Sequence, residues 1–264
     1  MSRIAEKFSL LGERRALVVF VTAGDPTIEH TVDAMHAMVA GGADIIELGI
    51  PFSDPEAEGP AIQASSERAL ANGVTLAKVL ELVETFRQRD THTPIVLMGY
   101  LNSIIAMPTF PARAQTAGVD GLIMVNLPPE EAGELKQQLS AVNIDLIFLV
   151  APTTTRARAE LILSQASGFV YYVSLKGITG ASHLVIDEVS ARLAELTDLS
   201  DLPVCVGFGI KDAATAAALA PSADGVVVGS ALVNIMAEHA DDVAGCSAAL
   251  RDAVSKLRAG VDQA

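Results

Sequence analysis

The sequence is poor in several residue types, and each shortage excludes a class of protein. It contains no tryptophan, and only 4% of its residues are aromatic. Its two cysteines, Cys205 and Cys246, are too few and too far apart in the chain for a disulfide framework or a metal cluster. No apolar run approaches the roughly 18 residues of a membrane span, and the first residues lack the apolar stretch of a signal peptide. We therefore expect a globular, cytoplasmic protein.

Basic residues are also scarce. The chain has 18 lysines and arginines against 32 aspartates and glutamates, which gives a formal net charge of -14. Nucleic acids and anionic membranes bind basic surfaces, so this charge argues against both as partners. It still allows an anionic small substrate, provided that backbone N–H groups rather than lysine and arginine hold it.

Short apolar runs alternate with segments of helical periodicity along the whole chain, and half of all residues are hydrophobic. Eight strands, each followed by helix, in about 250 residues are the count and size of a (β/α)8 TIM barrel. A doubly wound sheet usually has fewer strands and an early glycine-rich dinucleotide loop, and none follows the first run. The sequence therefore predicts an α/β fold with one barrel domain over residues 1–264. The predicted strands are Ala16 to Thr22, Ile45 to Gly49, Ile95 to Tyr100, Gly121 to Val125, Leu146 to Val150, Gly168 to Ser174, Val204 to Gly207 and Gly225 to Gly229.

Two segments fall outside the plain repeat of strand and helix. Ser2 to Leu11 has an amphipathic pattern, and we expect this extra helix to close the amino-terminal end of the barrel. The interval between the second and third strands is long enough for an extended active-site loop and two helices.

The helix after the first strand has start and stop signals. Asp25 before Pro26 is typical of a helix N-cap followed by proline at the first helical position, and Gly41 with Gly42 is typical of the end of that helix.

The most informative stretch is Glu47 to Pro60, ELGIPFSDPEAEGP. Glu47 lies in an apolar run, and strand alternation places it on the face opposite Ile46 and Leu48. Burying an ionised carboxylate is costly or raises its pKa, and a raised pKa is what a proton shuttle near neutrality needs. A pairing with an arginine or lysine elsewhere explains such an acid equally well. The acidic loop after it lies at the carboxyl end of the strand, where parallel α/β folds place their chemistry.

Glycines mark the ends of the last three predicted strands: one glycine-rich loop, Lys176 to Ala181, follows the sixth strand, and the segments Val204 to Ile210 and Gly225 to Ala231 place glycines at the ends of the seventh and eighth. Glycine lets backbone N–H groups approach an oxyanion, and Ser230 can cap the next helix and donate its hydroxyl. Barrels of this kind commonly bind phosphate after strands seven and eight, so we expect a phosphate site here. Structural glycines at helix starts are the alternative.

Tyr171 and Tyr172 are neighbours in the sixth strand, so only one of them faces the barrel interior. Lys176 has the parity of Tyr172 and could form a Schiff base with a carbonyl substrate. If Tyr171 faces inward, a solvated loop lysine is the better interpretation. The five histidines show no metal-ligand spacing, so we expect no metal.

Together these motifs resemble the tryptophan synthase α subunit family over the full length of the chain. The resemblance implies a (β/α)8 barrel that cleaves indole-3-glycerol phosphate into indole and glyceraldehyde 3-phosphate by a retro-aldol reaction. It implies no cofactor in this chain, and a partner beta subunit that carries pyridoxal phosphate (PLP) and receives the indole in an αββα heterotetramer. The matching segments are Phe20 to Pro26, Glu47 to Pro60, Met98 to Asn102, Gly177 to Gly180, Gly207 to Gly209 and Gly229-Ser230.

The resemblance also assigns residues. Glu47 matches the family's catalytic glutamate, Glu58 lies where an aspartate is usual, and Tyr171 matches an active-site tyrosine. Asn126 is a second departure, because an aspartate is common at that position. Phe20, Met98 and Ile62 are candidate walls for the indole, with ordinary barrel core as the stronger interpretation of Met98 and Ile62. The other matches are Gly180, Gly209, Gly229 and Ser230 at the substrate phosphate, Thr179 on a mobile loop, and Pro51, Asp54 and Pro55 facing the beta subunit.

The implied reaction needs a proton at C3 of the indole, relief of charge at the indole N–H and removal of the C3′ hydroxyl proton. We assign both proton transfers to Glu47 and the indole N–H to Glu58. Neutral Asn126 removes a negative field, which makes Glu47 easier to ionise. Two alternatives stay open: a weakly active allosteric partner of the beta subunit, because of Glu58 and Asn126, and a Schiff-base aldolase that uses Lys176.

Overall fold

The computed structural model of the chain describes residues 2–174, 183–207 and 209–263, with only the backbone of residues 183–185. Eight parallel strands pair in sequence order and close into a barrel through the pairing of the last strand with the first. The predicted (β/α)8 barrel is therefore confirmed. The strands are β1 (Ala16–Thr22), β2 (Ile45–Gly49), β3 (Ile95–Gly99), β4 (Gly121–Met124), β5 (Asp145–Val150), β6 (Val170–Val173), β7 (Val204–Gly207) and β8 (Gly225–Val228).

Helices cover the outside of the barrel and, at one end, close it. The short helices α5 and α6 were not predicted, because their patterns are too short, whereas α11 is the helix expected after the eighth strand. In the part of the chain that the structure describes, no helix has the length and apolarity needed to span a membrane. The helices are α1 (Arg3–Leu11), α2 (Ile28–Ala40), α3 (Pro60–Ala71), α4 (Leu76–Arg87), α5 (Leu101–Ile105), α6 (Phe110–Ala117), α7 (Gly133–Ala141), α8 (Arg156–Gln165), α9 (His183–Leu199), α10 (Ala213–Leu219), α11 (Ser230–Glu238) and α12 (Val243–Val261), with 3₁₀ turns at Pro129–Glu131 and Ala220–Ser222.

The strands divide their side chains between two hydrophobic layers. On β2, Ile46 and Leu48 pack in the outer layer against the helices, while Ile45 packs in the barrel interior. Because successive side chains of a strand alternate, Glu47 and Gly49 share the interior face with Ile45. The predicted orientation of Glu47, opposite Ile46 and Leu48, is confirmed.

The amino-terminal helix α1 closes one end of the barrel, as predicted. Ile4 is fully buried among interior side chains, and a Cβ added at Gly121 would lie 2.9 Å from the Cδ1 atoms of both Ile4 and Ile147. The ring of Phe8 lies 6.1 Å from the ring of Phe169. A glycine on β4 therefore makes room for the side chain that seals the barrel floor.

The predicted N-cap at Asp25 was wrong. Helix α2 begins at Ile28 with Thr27 as its N-cap, and the Asp25–Pro26 peptide bond is cis. The buried Asp25 carboxylate is instead paired with Arg68 of α3, with 2.6 Å between Nε and Oδ1. A carboxylate held by an arginine is not available to the first N–H groups of a helix. The predicted end of α2 at Gly41 is confirmed.

Truncating the seal should destabilise the barrel. We expect Ile4→Ala to lower the free energy of unfolding by about 2 to 5 kcal/mol, because it leaves a cavity between α1 and the strands. Leu10→Ala on the same helix, at a side chain that is 76% exposed, should change it by less than about 0.5 kcal/mol. Urea unfolding measures both variants. Equal effects at the two positions would contradict the sealing role of α1.

Candidate active site

Glu47 lies on β2, and its side chain is on the interior face of the barrel. It lies beside Phe20 of β1 in the strand register, and only 1% of the residue is exposed. Burial raises the pKa of its carboxyl group to about 8, and the negative charge of Glu58 adds to this rise. Its Oε2 atom is buried and has no hydrogen-bond partner among the described residues. A group with this pKa is protonated at neutral pH and able to give up its proton.

The other buried acids of the described residues are held differently. Asp25 pairs with Arg68, Asp44 with Arg258, and Asp120 with Arg3 and Arg87. No ion pair involves Glu47 in the parts of the chain that the structure covers. The pairing that the sequence left open as an alternative is therefore not found there.

Glu58 reaches the same end of the barrel from a loop. It directly precedes Gly59, the N-cap residue of α3, and its backbone N–H donates to the carbonyl oxygen of Pro55 at 3.0 Å. The side chain of Gln63 donates to the Glu58 carbonyl oxygen at 2.8 Å. Burial raises the pKa of the Glu58 carboxyl group to about 7. The two carboxyl groups thus interact electrostatically, and their pKa values, about 8 for Glu47 and about 7 for Glu58, both lie near neutral pH.

A small cavity lies beneath Glu58. Its volume is about 10 Å³, which is room for roughly one water molecule. The cavity brings together the predicted residues Phe20, Met98, Ile62 and Glu58, and its other walls are Thr22, Gly49, Ile50, Phe52, Pro55, Ser66, Gly99 and Tyr100.

Tyr171 faces the interior, and Tyr172 packs in the outer layer against the helices. The Tyr171 ring lies against Gly207 of β7, where any Cβ atom would overlap its hydroxyl group. Burial, together with the charges of Glu47 and Glu58, raises the pKa of the Tyr171 hydroxyl well above its ordinary value. The hydroxyl therefore stays neutral and can donate a hydrogen bond. Lys176, Thr179 and Gly180 lie outside the described residues.

The carboxyl end of β8 leads directly into α11. Gly229 is the N-cap residue of this helix, and no side chain caps it, so the prediction that Ser230 caps it was wrong. Ser230 is the first helical residue, and its backbone N–H points out of the helix N-terminus. This is a suitable place for a phosphate, because the helix dipole favours an anion there. Gly209, which follows β7, has a φ of +82°, a conformation that glycine adopts without strain.

Helix α10, which follows β7, differs from α11 at its N-terminus. The Asp212 carboxylate accepts the backbone N–H of Thr215 at 2.8 Å and caps the helix. A negative charge at that position disfavours a second anion. Of these two helix N-termini, only that of α11 suits a phosphate.

The remaining predicted residues lie on loops at this end of the barrel. Asn126 is exposed, and its Oδ1 atom accepts the backbone N–H of Leu101 at 2.8 Å, at the first residue of α5. On the loop after β2, Pro51 is buried, Pro55 is half-buried and Asp54 is exposed. The Asn126 amide thus fixes the start of α5.

Neither a metal centre nor a reactive thiol is found among the residues that the structure describes. No group of three or more histidine, cysteine, aspartate or glutamate side chains there could hold a metal ion. Cys205 and Cys246 are both buried as free thiols, and burial raises the pKa of each.

Sequence reasoning missed Tyr100. It lies directly after β3, its ring stacks on Phe52 with centroids 4.9 Å apart, and its Oη atom accepts the backbone N–H of Ala57 at 3.1 Å. It also lines the cavity with Glu58. Its position at the end of a predicted strand could have identified it. It also lies in the matching segment Met98 to Asn102, from which only Met98 was assigned to the site.

Comparison with known proteins gives one family. A family profile described as "Tryptophan synthase alpha chain" matches residues 9–262. The chain is 53% identical to the tryptophan synthase alpha chain of Thioalkalivibrio sulfidiphilus, over 99% of this chain and 100% of the relative. It is 51% identical to that of Burkholderia lata, over 100% and 98% of the two chains.

Solved structures give the same result. The crystal structure of tryptophan synthase subunit alpha from Legionella pneumophila superposes with a TM-score of 0.93 at 41% identity and covers 100% of both chains. A chain of tryptophan synthase from M. tuberculosis superposes with a TM-score of 0.86 at 34% identity, over 99% of this chain and 100% of that one. The resemblance carried by the motifs is therefore confirmed.

The raised pKa of buried Glu47 should make the unfolding free energy of the chain depend on pH. Between the pH at which an exposed glutamate ionises, 4.5, and about 8, the folded chain holds a proton at Glu47 that the unfolded chain has lost. Each pH unit in this range therefore costs the wild type about 1.4 kcal/mol of unfolding free energy through this group. We expect Glu47→Gln to remove that dependence, so that its stability relative to wild type grows as pH rises. Urea unfolding from pH 5 to 8 measures this, and parallel curves would contradict it.

Proposed function

The chain belongs to the tryptophan synthase alpha chain family, whose members cleave indole-3-glycerol phosphate, and we propose that Glu47 and Glu58 perform this cleavage here. The reaction breaks a carbon–carbon bond and releases indole and glyceraldehyde 3-phosphate. The main support is a pair of interacting carboxyl groups at the carboxyl end of the barrel, with pKa values of about 8 and 7. Carboxyl groups whose surroundings separate their pKa values can divide acid and base roles between them.

Glu47 is the proton carrier. It is protonated at neutral pH, so it can give its proton to C3 of the indole, which turns the ring into an electron sink. The carboxylate that remains then accepts the C3′ hydroxyl proton as the C3–C3′ bond breaks. The bond electrons return to the indole ring, the hydroxyl oxygen becomes the carbonyl of glyceraldehyde 3-phosphate, and protonated Glu47 is restored. Its buried Oε2 atom suits this task, since no other described group engages it.

Glu58 is the stabilising charge. In its ionised form it accepts a hydrogen bond from the indole N–H, where positive charge develops once C3 is protonated. It lines the cavity together with Phe20 and Met98, which are suited to the faces and edges of an aromatic ring. The extra methylene of glutamate, compared with the aspartate usual in the family, can be accommodated because Glu58 is carried by a loop rather than a strand.

Three further groups hold the substrate. Tyr171 stays neutral and donates a hydrogen bond to the glycerol oxygens beside Glu47. The backbone N–H groups at Gly229 and Ser230 hold the phosphate at the N-terminus of α11, and Gly209 completes this side of the site. The family resemblance adds Gly180 to the phosphate site and assigns Thr179 to a mobile loop that contacts the second acid, Glu58, when closed.

Indole release tests this assignment. The purified chain should release indole from indole-3-glycerol phosphate, and Glu47→Gln should lower kcat by at least about a hundredfold while substrate still binds, because an amide cannot shuttle the proton. Coupled absorbance of the products gives the rate, and isothermal titration gives binding. Undiminished turnover by Glu47→Gln would refute the role of Glu47.

The same measurement across pH separates the two acids. Activity requires ionised Glu58, so kcat/KM falls below about pH 7, and it requires protonated Glu47, so kcat/KM falls above about pH 8. Glu58→Gln, although slower, should lose the fall on the acidic side and keep the fall on the basic side.

A beta subunit is the proposed partner. The beta subunit carries PLP and takes up the indole, whereas we propose no cofactor for the alpha chain. Two alpha chains and two beta subunits form an αββα assembly. We place this assembly in the cytoplasm. The loop after β2 offers Pro51, Asp54 and Pro55 to this partner. Ile105 of α5, at the same end of the barrel, is 67% exposed, and such an apolar side chain is suited to an interface core.

Adding a tryptophan synthase beta subunit should therefore raise indole production well above the rate of the chain alone. Asp54→Lys should weaken this stimulation at limiting beta subunit, because it reverses a charge on the docking loop. Glu13→Lys, an exposed acid at the opposite end of the barrel, is the matched control and should leave it unchanged. If the chain stimulates the beta subunit's own reaction but releases no indole from indole-3-glycerol phosphate, an allosteric subunit is favoured over an enzyme. A covalent adduct trapped by borohydride would favour the Schiff-base reaction of Lys176.

A further inference from the structure

Glu58 has a positioning problem that Glu47 does not share. Glu47 belongs to a strand paired on both sides, whereas Glu58 ends a loop that begins after Gly49. At its start the loop is tied to β3, because the backbone N–H of Ile50 donates to the carbonyl oxygen of Met98. Beyond that point its backbone–backbone bonds are short-range, from Glu56 to Asp54 and from Glu58 to Pro55. Such local turns shape the loop but do not fix it against the barrel. A displacement of about 1 Å at a catalytic group can cost on the order of a hundredfold in rate.

Tyr100 links this loop to the barrel at two points. Its ring stacks on Phe52, near the start of the loop, with an interplanar angle of 17°. Its hydroxyl oxygen accepts the backbone N–H of Ala57, the residue directly before Glu58. One side chain thus contacts both ends of the segment that carries the second acid.

Tyr100 is itself firmly held. It is 6% exposed, follows β3 directly and is the N-cap residue of α5. The next residue, Leu101, donates its backbone N–H to the side chain of Asn126, on the loop after β4. The hydroxyl that meets the loop is therefore anchored to two neighbouring strands of the barrel.

Charge on Glu58 is felt at the Tyr100 hydroxyl. Burial is the larger cause of the raised Tyr100 pKa, and the acids Glu58, Glu56 and Asp54 of the loop add to it. The hydroxyl stays neutral, keeps its own hydrogen and uses its oxygen to accept the N–H of Ala57. Its role is then to hold backbone, not to move a proton.

We propose that Tyr100 is the residue that positions Glu58, by holding Phe52 and Ala57 against the barrel so that the Glu58 carboxylate faces the cavity. This inference rests on the catalytic role proposed above for Glu58. It gives Asn126 a part as well, since the amide of Asn126 fixes the helix start on which Tyr100 lies.

Tyr100→Phe is the decisive variant, because it keeps the ring that stacks on Phe52 and removes only the hydroxyl. We expect kcat for indole release to fall by about tenfold, with KM changed by less than about twofold, since the cavity walls remain. The acidic limb of the pH profile, which reports Glu58, should shift, while the basic limb from Glu47 stays. Tyr172→Phe removes a hydroxyl from another buried tyrosine, on the outer face of β6, and should leave kcat unchanged.

A double-mutant comparison separates positioning from other effects. If Tyr100 acts through Glu58, adding Tyr100→Phe to Glu58→Ala should cause no further loss, because residues that act as a unit are not additive. The residual rate is measured with enzyme in excess over substrate, and thermal unfolding verifies that each variant folds. Should Tyr100→Phe fail to fold, Phe52→Leu, which removes the stacking partner, should also lower kcat and shift the acidic limb of the pH profile; because Phe52 is itself a cavity wall, KM is not the readout for this variant.

The outcomes are distinct. An equal loss from Tyr100→Phe with and without Glu58 would overturn the inference, because Tyr100 would then act independently. Full activity of Tyr100→Phe beside an impaired Glu58→Ala would overturn it too, while the proposed function stands. Full activity of Glu58→Ala would remove the proposed role of Glu58 and the inference together.

Discussion

A carboxyl group buried without a cation is the feature on which the rest of this site depends. Of the four buried acids in the described residues, Asp25, Asp44 and Asp120 each face an arginine, and Glu47 does not. Each of those three acids has a cation beside it, whereas burial, to which the negative charge of Glu58 adds, raises the pKa of Glu47 to about 8 and keeps it neutral at pH 7. Burying Glu47 lowers the stability of the folded chain as pH rises towards 8, and it provides a carboxyl group that can release and take up a proton near neutral pH.

The two acids are carried by structures of different rigidity. The strand that bears Glu47 is paired on both sides, so its carboxyl group has few alternative positions. Glu58 comes from a loop, whose backbone has more freedom than that of a strand paired on both sides. The same freedom makes Glu58 dependent on contacts from outside its loop, and Tyr100 supplies two of them.

Local patterns in the sequence predicted most of the strands and the face on which Glu47 lies, because alternation along a strand is a local property. The same kind of reasoning failed where a distant residue competes. Asp25 has the sequence context of an N-cap, but Arg68, 43 positions away, takes its carboxylate. Tyr100 escaped notice for the same reason, since its contact with Ala57 also spans 43 positions. At Ser230 the error was one residue, because Gly229 takes the N-cap position.

The sequence by itself determined the closed barrel of eight strands, the face of β2 on which Glu47 lies and the presence of two acids next to one strand end. Periodicity and glycine placement suffice for that, since they act within a few residues. Only the tertiary structure decided that no described cation reaches Glu47, that its pKa rises to about 8 and that Tyr171 rather than Tyr172 faces it. Those properties depend on which side chains converge from different strands. Desolvation and charge interaction act through space, and no local pattern in the chain records them.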